Sequence, residues 1–178
     1  MEEKAKAPFW KPALIYGAII GFVTILVGVI FYILNLSTAT WTQWVSGLIT
    51  LAVLIYCLIA YRNEYLGGFA SYGQIFLMAV MIGVIATILS TIYSYILMGV
   101  IDTELLDKMR LVQEERLLSN PRIPESAHET VLARLDKSMT LKRVLIMGAI
   151  MGPVMNAIIG LIAAAFIKKE ENPVDTVA

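Results

Sequence analysis

The sequence predicts an all-α membrane protein with four transmembrane helices and an extramembrane amphipathic helical hairpin between the third and the fourth. Apolar residues make up 58% of the 178-residue chain and charged residues 16%, whereas soluble domains typically have about 45–50% and about 25%. Charged residues are also missing from three intervals, 12–61, 65–101 and 144–167. Each interval exceeds the roughly 20 helical residues that cross a bilayer.

The first interval is long enough for two spans, and a polar segment, 35–40, divides it. We expect the first helix at 12–34, after a basic N-terminal tail, 1–11, and the second helix at 43–61. A basic flank before an apolar run is also the pattern of a secretory signal. The run is longer than the 7 to 15 residues of a signal core, so we predict a retained helix.

The third helix is expected at 72–100, after the turn-forming pair Gly67–Gly68. The fourth is expected at 144–167, and a C-terminal tail, 168–178, follows it. Basic residues flank the fourth helix on both sides, where their long side chains can reach the membrane interface.

The segment 102–143 contains eight basic and eight acidic residues, which places it outside the hydrocarbon. Apolar residues recur within it at helical spacing, and prolines separate two such stretches. Ser126, followed by Glu129, is a capping-box pattern and predicts the start of the second stretch. We therefore expect a charged helical hairpin, or two amphipathic helices on the bilayer surface.

Small residues on the membrane helices indicate where two helices meet, because they let backbones approach closely. Two pairs of glycines, one in the first helix and one in the fourth, have the G-x-x-x-G spacing. We expect them to pack within one molecule, and self-association between subunits is the alternative. The candidate helix-packing residues are Gly17, Gly21, Gly83, Ser90, Gly148 and Gly152.

Two residues interrupt the apolar pattern of the fourth helix. Pro153 is expected to kink it, because proline has no backbone N–H to donate. Asn156 is a polar amide at membrane depth, and we expect it to bond another helix or a carbonyl that the proline frees. Binding of a solute is the alternative role.

Nothing in the sequence predicts a catalytic residue, a cofactor-binding site, a cofactor or a metal site. The four spans contain no ionisable Asp, Glu, Lys, Arg or His, which proton relays and ion-coupled carriers normally need. His128, the single histidine, lies in the hairpin, and Cys57, the single cysteine, lies in an apolar run. We therefore expect a protein that is not an enzyme, and the zero net charge argues against nucleic acid as a partner.

An even number of spans puts both termini on one side of the membrane. We predict the cytoplasmic side, since the N-terminal tail and the residues after the fourth helix are basic, while the first loop is uncharged. The hairpin conflicts with this orientation, because its eight basic residues then lie outside.

The order of these features resembles a family of four-helix membrane proteins, mostly from Bacteroidetes, known as a domain of unknown function. The resemblance covers roughly residues 10 to 168 and rests on Tyr16–Gly17, on Tyr61–Arg62–Asn63 before the segment Gly67 to Gly73, and on Ile101–Asp102. It implies four spans and an inner-membrane location. It implies no activity.

The functional expectation is a non-enzymatic multi-pass protein that acts by association within the lipid bilayer. Its partner is a second copy of the chain or another membrane protein. The small-residue helix faces and the hairpin motivate this interpretation. The alternative is an oligomeric channel or carrier for a small neutral solute, motivated by the interruption at Pro153 and Asn156.

Overall fold

The computed structural model describes residues 9–169, and within them the chain forms six α-helices and no strand. Residues 1–8 and 170–178, which make up most of the two predicted tails, lie outside the described residues. The helices are α1 (Trp10–Ile33), α2 (Thr40–Tyr65), α3 (Tyr72–Ile96), α4 (Leu105–Leu118), α5 (His128–Ser138) and α6 (Leu141–Ile167). A π-helical turn, Leu97–Ile101, extends α3, and a 3₁₀ turn, Glu125–Ala127, precedes α5.

Four of these helices are long and apolar enough to cross a membrane. They are α1, α2, α3 with its π-helical turn, and α6, with mean hydropathies of 2.1 to 2.6. This confirms the predicted all-α class and the four candidate spans. Each of α1, α2 and α6 begins two to three residues before the expected boundary, because interfacial residues continue a helix beyond its apolar core.

The first loop begins where Asn35 takes a left-handed conformation with φ of 56°. The amide of Leu36 donates to the Phe31 carbonyl, 2.8 Å away, and the amide of Asn35 donates to the Tyr32 carbonyl, 3.0 Å away. These two bonds form a Schellman motif, which asparagine tolerates better than most residues. The polar loop thus satisfies the last carbonyls of α1.

A capping box starts α3, at a position that the sequence analysis did not single out. The Ser71 side chain accepts from the Gln74 amide, and the Gln74 side-chain oxygen accepts from the Ser71 amide at 2.9 Å. The predicted capping box at Ser126 does not form. There the chain makes a 3₁₀ turn, and α5 begins at His128 without a side-chain cap.

The third helix is the centre of the packing. It contacts α1 through Ile85, Leu89 and other residues spaced by four, and it contacts α6 through Ala79, Gly83 and Thr87. Positions 83 and 85 lie about 200° apart around a helix. The helices α1 and α6 therefore pack on opposite sides of α3 and share no substantial contact with each other.

The buried core lies at one end of the long helices, which we call the closed end (residues 9–21, 54–73 and 160–169). Here α1 and α3 begin and α2 and α6 end. The core residues at or near this end are Ala13, Tyr16, Ile20, Leu54, Cys57, Leu58, Tyr61, Ala70, Ile75, Met78, Ala79, Ile82, Ala86, Ala163, Ala164 and Ile167.

The opposite end, which we call the open end (residues 28–50 and 93–150), has few buried side chains. Two polar links hold the shorter helices there. Arg116 of α4 donates to the Thr38 carbonyl at 3.4 Å and to the Thr40 hydroxyl. Arg110 of α4 donates to Asp136 of α5 at 2.9 Å. The two short helices are thereby joined to each other and to the first loop.

Candidate functional site

The C-terminus of α6 is capped by a side chain from another helix. Arg62, in the last turn of α2, donates from Nη1 to the Ile167 carbonyl at 3.0 Å. Its Nε donates to the Asn63 side-chain oxygen at 3.0 Å. The last carbonyls of a helix have no partner within the helix and carry partial negative charge, so a guanidinium there stabilises the helix end.

A second polar contact joins α1 to the end of α2. The Tyr16 hydroxyl, on a buried residue, donates to Glu64 Oε2 at 2.9 Å. The Tyr16 ring also meets the Tyr65 ring edge-on, with the centroids 6.3 Å apart. A carboxylate acceptor lets the phenol be buried without leaving its hydroxyl unpaired.

Two further contacts join α3 and its preceding turn to α6. The Tyr72 hydroxyl donates to the Leu161 carbonyl at 3.0 Å. Ala70 and Lys169 pair by two backbone hydrogen bonds of 2.9 and 3.0 Å. The turn between α2 and α3 requires glycine, since Gly67 and Gly68 have φ of 66° and 89°. The closed end therefore brings together the ends of all four long helices.

Gly17 and Gly21 lie where α1 meets α3. A Cβ added to Gly17 would lie 2.6 Å from Ile85 Cβ, and one added to Gly21 would lie 2.7 Å from Leu89 Cδ1. Both distances are well below ordinary van der Waals contact. The absence of a side chain at these positions therefore allows the two backbones to approach.

Glycines from both helices line the interface between α3 and α6. A Cβ added to Gly83 would overlap Asn156, coming within 2.8 Å of its Cγ, and a Cβ added to Gly152 would overlap the Thr87 side chain. Further toward the closed end, a Cβ at Gly160 would lie 2.7 Å from Ala79 Cβ.

The other two candidate packing residues lie elsewhere. Among residues 9–169, nothing outside the neighbouring α6 backbone lies within 4 Å of a Cβ added to Gly148, although Gly148 has the same spacing from Gly152 as Gly17 has from Gly21. The Ser90 hydroxyl donates to the Thr87 carbonyl of its own helix at 3.1 Å.

Pro153 lies inside α6, which remains one helix from Leu141 to Ile167. Asn156 donates from Nδ2 to the Gly152 carbonyl at 3.0 Å, within its own helix. The carbonyl that Pro153 frees belongs to Ala149, four residues before it. The Asn156 side-chain amide therefore bonds the Gly152 carbonyl and not the freed one. Asn156 Oδ1 is enclosed and has no hydrogen-bond partner among the described residues.

Within residues 9–169, no group of three or more His, Cys, Asp and Glu side chains is placed to hold a metal ion. Cys57 is a free thiol buried between the long helices. The polar contacts found at the closed end are structural pairings between helix ends. Their chemistry is hydrogen bonding and charge, supplied by Arg62, Glu64 and the tyrosines around them.

Sequence reasoning named the small residues and missed the polar contacts of the closed end. The local signal was present, since Arg62, Asn63 and Glu64 directly follow an apolar run. The partners of Glu64 and Arg62 on other helices are 48 and 105 residues away in sequence, and no local pattern identifies them. The Ser71 to Gln74 capping box was visible in the sequence as a serine followed three residues later by a glutamine.

Four long apolar helices, packed through glycines and joined at one end by hydrogen bonds, define an all-helical protein with four candidate membrane spans. Residues 15–169 match the model of a family described as "Protein of unknown function (DUF4199)". The match covers most of the chain, and the protein belongs to this family. No curated protein and no solved structure matches the chain.

Proposed function

We propose that this protein is a non-enzymatic, multi-pass inner-membrane protein that acts by association with a second copy of itself within the bilayer. The observation that carries the proposal is the open space beside Gly148 on α6. The resemblance to Bacteroidetes sequences supports the inner membrane as its location.

Gly148 differs from the other glycines of α6. Gly152 and Gly160 both face α3 at short distance, whereas no described residue outside the neighbouring α6 backbone lies within 4 Å of a Cβ at Gly148. Met151 and Met155 follow it one and two turns later on the same side, and they are 45% and 49% exposed. Methionine adapts its shape to irregular partners, and a small residue permits the close backbone approach that drives association in lipid.

Gly148→Cys, in a Cys57→Ser background, is expected to cross-link two copies when membranes are treated with a thiol oxidant. The measurement is the dimer band on a non-reducing gel. Gly47→Cys is the matched control, because Gly47 of α2 also has open space beside it but lies on a different helix. A dimer at Gly47 alone would move the interface to α2, and monomer at both positions would contradict self-association.

For the orientation, we propose that both termini are cytoplasmic and that α4 and α5 form an extramembrane hairpin on the outer side. Single cysteines at Thr38, Gly67 and Glu125, again without Cys57, test this with a membrane-impermeant thiol reagent on intact cells. Thr38 and Glu125 are expected to react and Gly67 is not. Reaction at Gly67 alone would invert the protein in the membrane.

The alternative function, an oligomeric channel or carrier for a small neutral solute, is supported by one observation. Asn156 Oδ1 is an enclosed acceptor without a partner among the described residues, at membrane depth. Liposomes that take up a neutral solute only when they contain the protein would favour this function over association alone.

A further inference from the structure

We propose that the closed end binds the phosphate of an anionic phospholipid between Arg62 and Lys169. Both side chains belong to the region where the last turn of α2, the α2–α3 turn and the end of α6 meet. The inference concerns a lipid ligand and does not depend on self-association.

Arg62 holds a guanidinium that is only partly used by the protein. Its Nη1 and Nε each make one hydrogen bond, to Ile167 and Asn63, and Nη2 makes none to the part of the chain that the structure describes. The two protein bonds fix the plane of the guanidinium. An orientated guanidinium with free N–H groups is well suited to a phosphate oxygen.

Lys169 is held in place from two directions. Its backbone pairs with Ala70, and its Nζ lies 5.2 Å from the centroid of the Phe69 ring. No carboxylate among the described residues lies within salt-bridge distance of this ammonium. A cation held over an aromatic ring at a helix end retains its charge for an anion that approaches from the interface.

The charge of the closed end is complementary to such a ligand. Besides Lys168, its described residues include three basic side chains, Lys11, Arg62 and Lys169, and one acidic side chain, Glu64, and the sequence continues with Glu170 and Glu171. Glu64 already accepts a hydrogen bond from Tyr16. Segment 102–143, by contrast, has equal numbers of basic and acidic residues.

The position of the cluster also fits a lipid headgroup. Arg62 and Lys169 lie at the ends of two apolar helices of membrane-spanning length, which is the depth of the phosphate layer. Basic pockets between transmembrane helices at this level bind anionic headgroups. An anionic phospholipid is therefore the ligand that the cluster's charge and depth favour.

The alternative explanation is that the two cations only neutralise the C-terminus of α6. Arg62 does act in this way through Nη1. Lys169 follows the last residue of α6 by two positions, and its ammonium lies over the Phe69 ring rather than at a carbonyl. Lys169→Gln distinguishes the two explanations, because it removes the ammonium and leaves the backbone pairing with Ala70 in place.

The test is native mass spectrometry of the full-length protein from detergent micelles that contain equal amounts of phosphatidylglycerol and phosphatidylcholine. The wild type is expected to retain phosphatidylglycerol in preference. Lys169→Gln is expected to lower that retention by about fivefold, the effect of one basic residue at an anionic surface. Arg62→Lys keeps the charge but removes the fork of N–H donors, and a smaller loss is expected.

Lys108→Gln is the matched control, because it removes the same charge at the open end, where the Lys108 ammonium lies 3.5 Å from Asp102. It is expected to retain phosphatidylglycerol like the wild type. Equal retention of both lipids by the wild type would overturn the proposal. So would an equal loss in Lys108→Gln and Lys169→Gln, provided that both variants keep the wild-type melting temperature.

Discussion

Gly83→Ala is expected to lower the free energy of unfolding in detergent by about 1–3 kcal/mol, the usual cost of overpacking a close interface. The new methyl group would overlap the Cβ of Asn156 and approach its Cγ to 2.8 Å. These atoms are next to the α6 backbone and cannot swing away as the end of a long side chain can. A change of the Asn156 rotamer would move its Cγ but not its Cβ, so α6 has to move off α3.

Gly148→Ala is the control for this prediction, and it should not destabilise the monomer. Alanine has a higher helix propensity than glycine by about 0.8–1.0 kcal/mol, and Gly148 has open space beside it. The measurement for both variants is reversible unfolding in mixed micelles with a rising fraction of a denaturing detergent. Equal midpoints for Gly83→Ala and the wild type would show that the α3–α6 approach is looser than the structure has it.

Arg62→Met is expected to have the second largest effect, through the loss of the cap on α6. Hydrogen bonds to charged groups contribute about 1.5–3 kcal/mol, and we expect the lower part of this range because Arg62 is partly exposed. Among the described residues, only the Arg62 side chain donates to the Ile167 carbonyl, so this carbonyl would lose its side-chain donor. Amide hydrogen exchange should then rise at Lys168, whose N–H bonds Ala164 in the last turn of α6.

Arg134→Met is the matched control for this substitution. Arg134 is an exposed residue of α5, and its side chain makes no hydrogen bond within the described residues. Neither exchange at the end of α6 nor the unfolding midpoint should change. If Arg62→Met exchanged at Lys168 as slowly as the wild type, the guanidinium would not be what holds the end of α6.

The number and length of the long helices followed from the sequence because the bilayer imposes one simple requirement. A span needs about 20 apolar residues, and charged residues mark where each one stops. The helix ends were less predictable, since interfacial residues such as Trp10 and Tyr65 can continue a helix or leave it. Whether they do depends on contacts such as the edge-on contact between the Tyr65 and Tyr16 rings.

The contacts of the small residues could be predicted in kind but not in detail. Glycine spacing indicated that helices meet, and the structure places Gly17, Gly21, Gly83 and Gly152 at such contacts. Gly148 has the same spacing, but a Cβ added there meets no other helix in the part of the chain that the structure describes. Spacing reports only that two residues share a face of one helix, and it carries no information about which neighbour covers that face at a given depth.

Capping patterns show the same limit at the helix ends. Ser126 and Glu129 have the spacing of a capping box, yet α5 begins after a 3₁₀ turn at His128. Ser71 and Gln74 have it too and form both hydrogen bonds. The Gly67–Gly68 turn before Ser71 lets the chain reverse freely, while Pro124 before Ser126 restricts the entry into the helix.

The central position of α3 also affects how the chain is made. A ribosome produces α1, α2 and α3 before it reaches α6, and segment 102–140 takes roughly 2–8 s at about 5–20 residues per second. During this interval the contacts of Gly83 with Asn156 and of Thr87 with Gly152 cannot form, because both partners belong to α6. The nascent three-helix intermediate therefore lacks the helix that packs against Gly83 and Thr87 until α6 has been made.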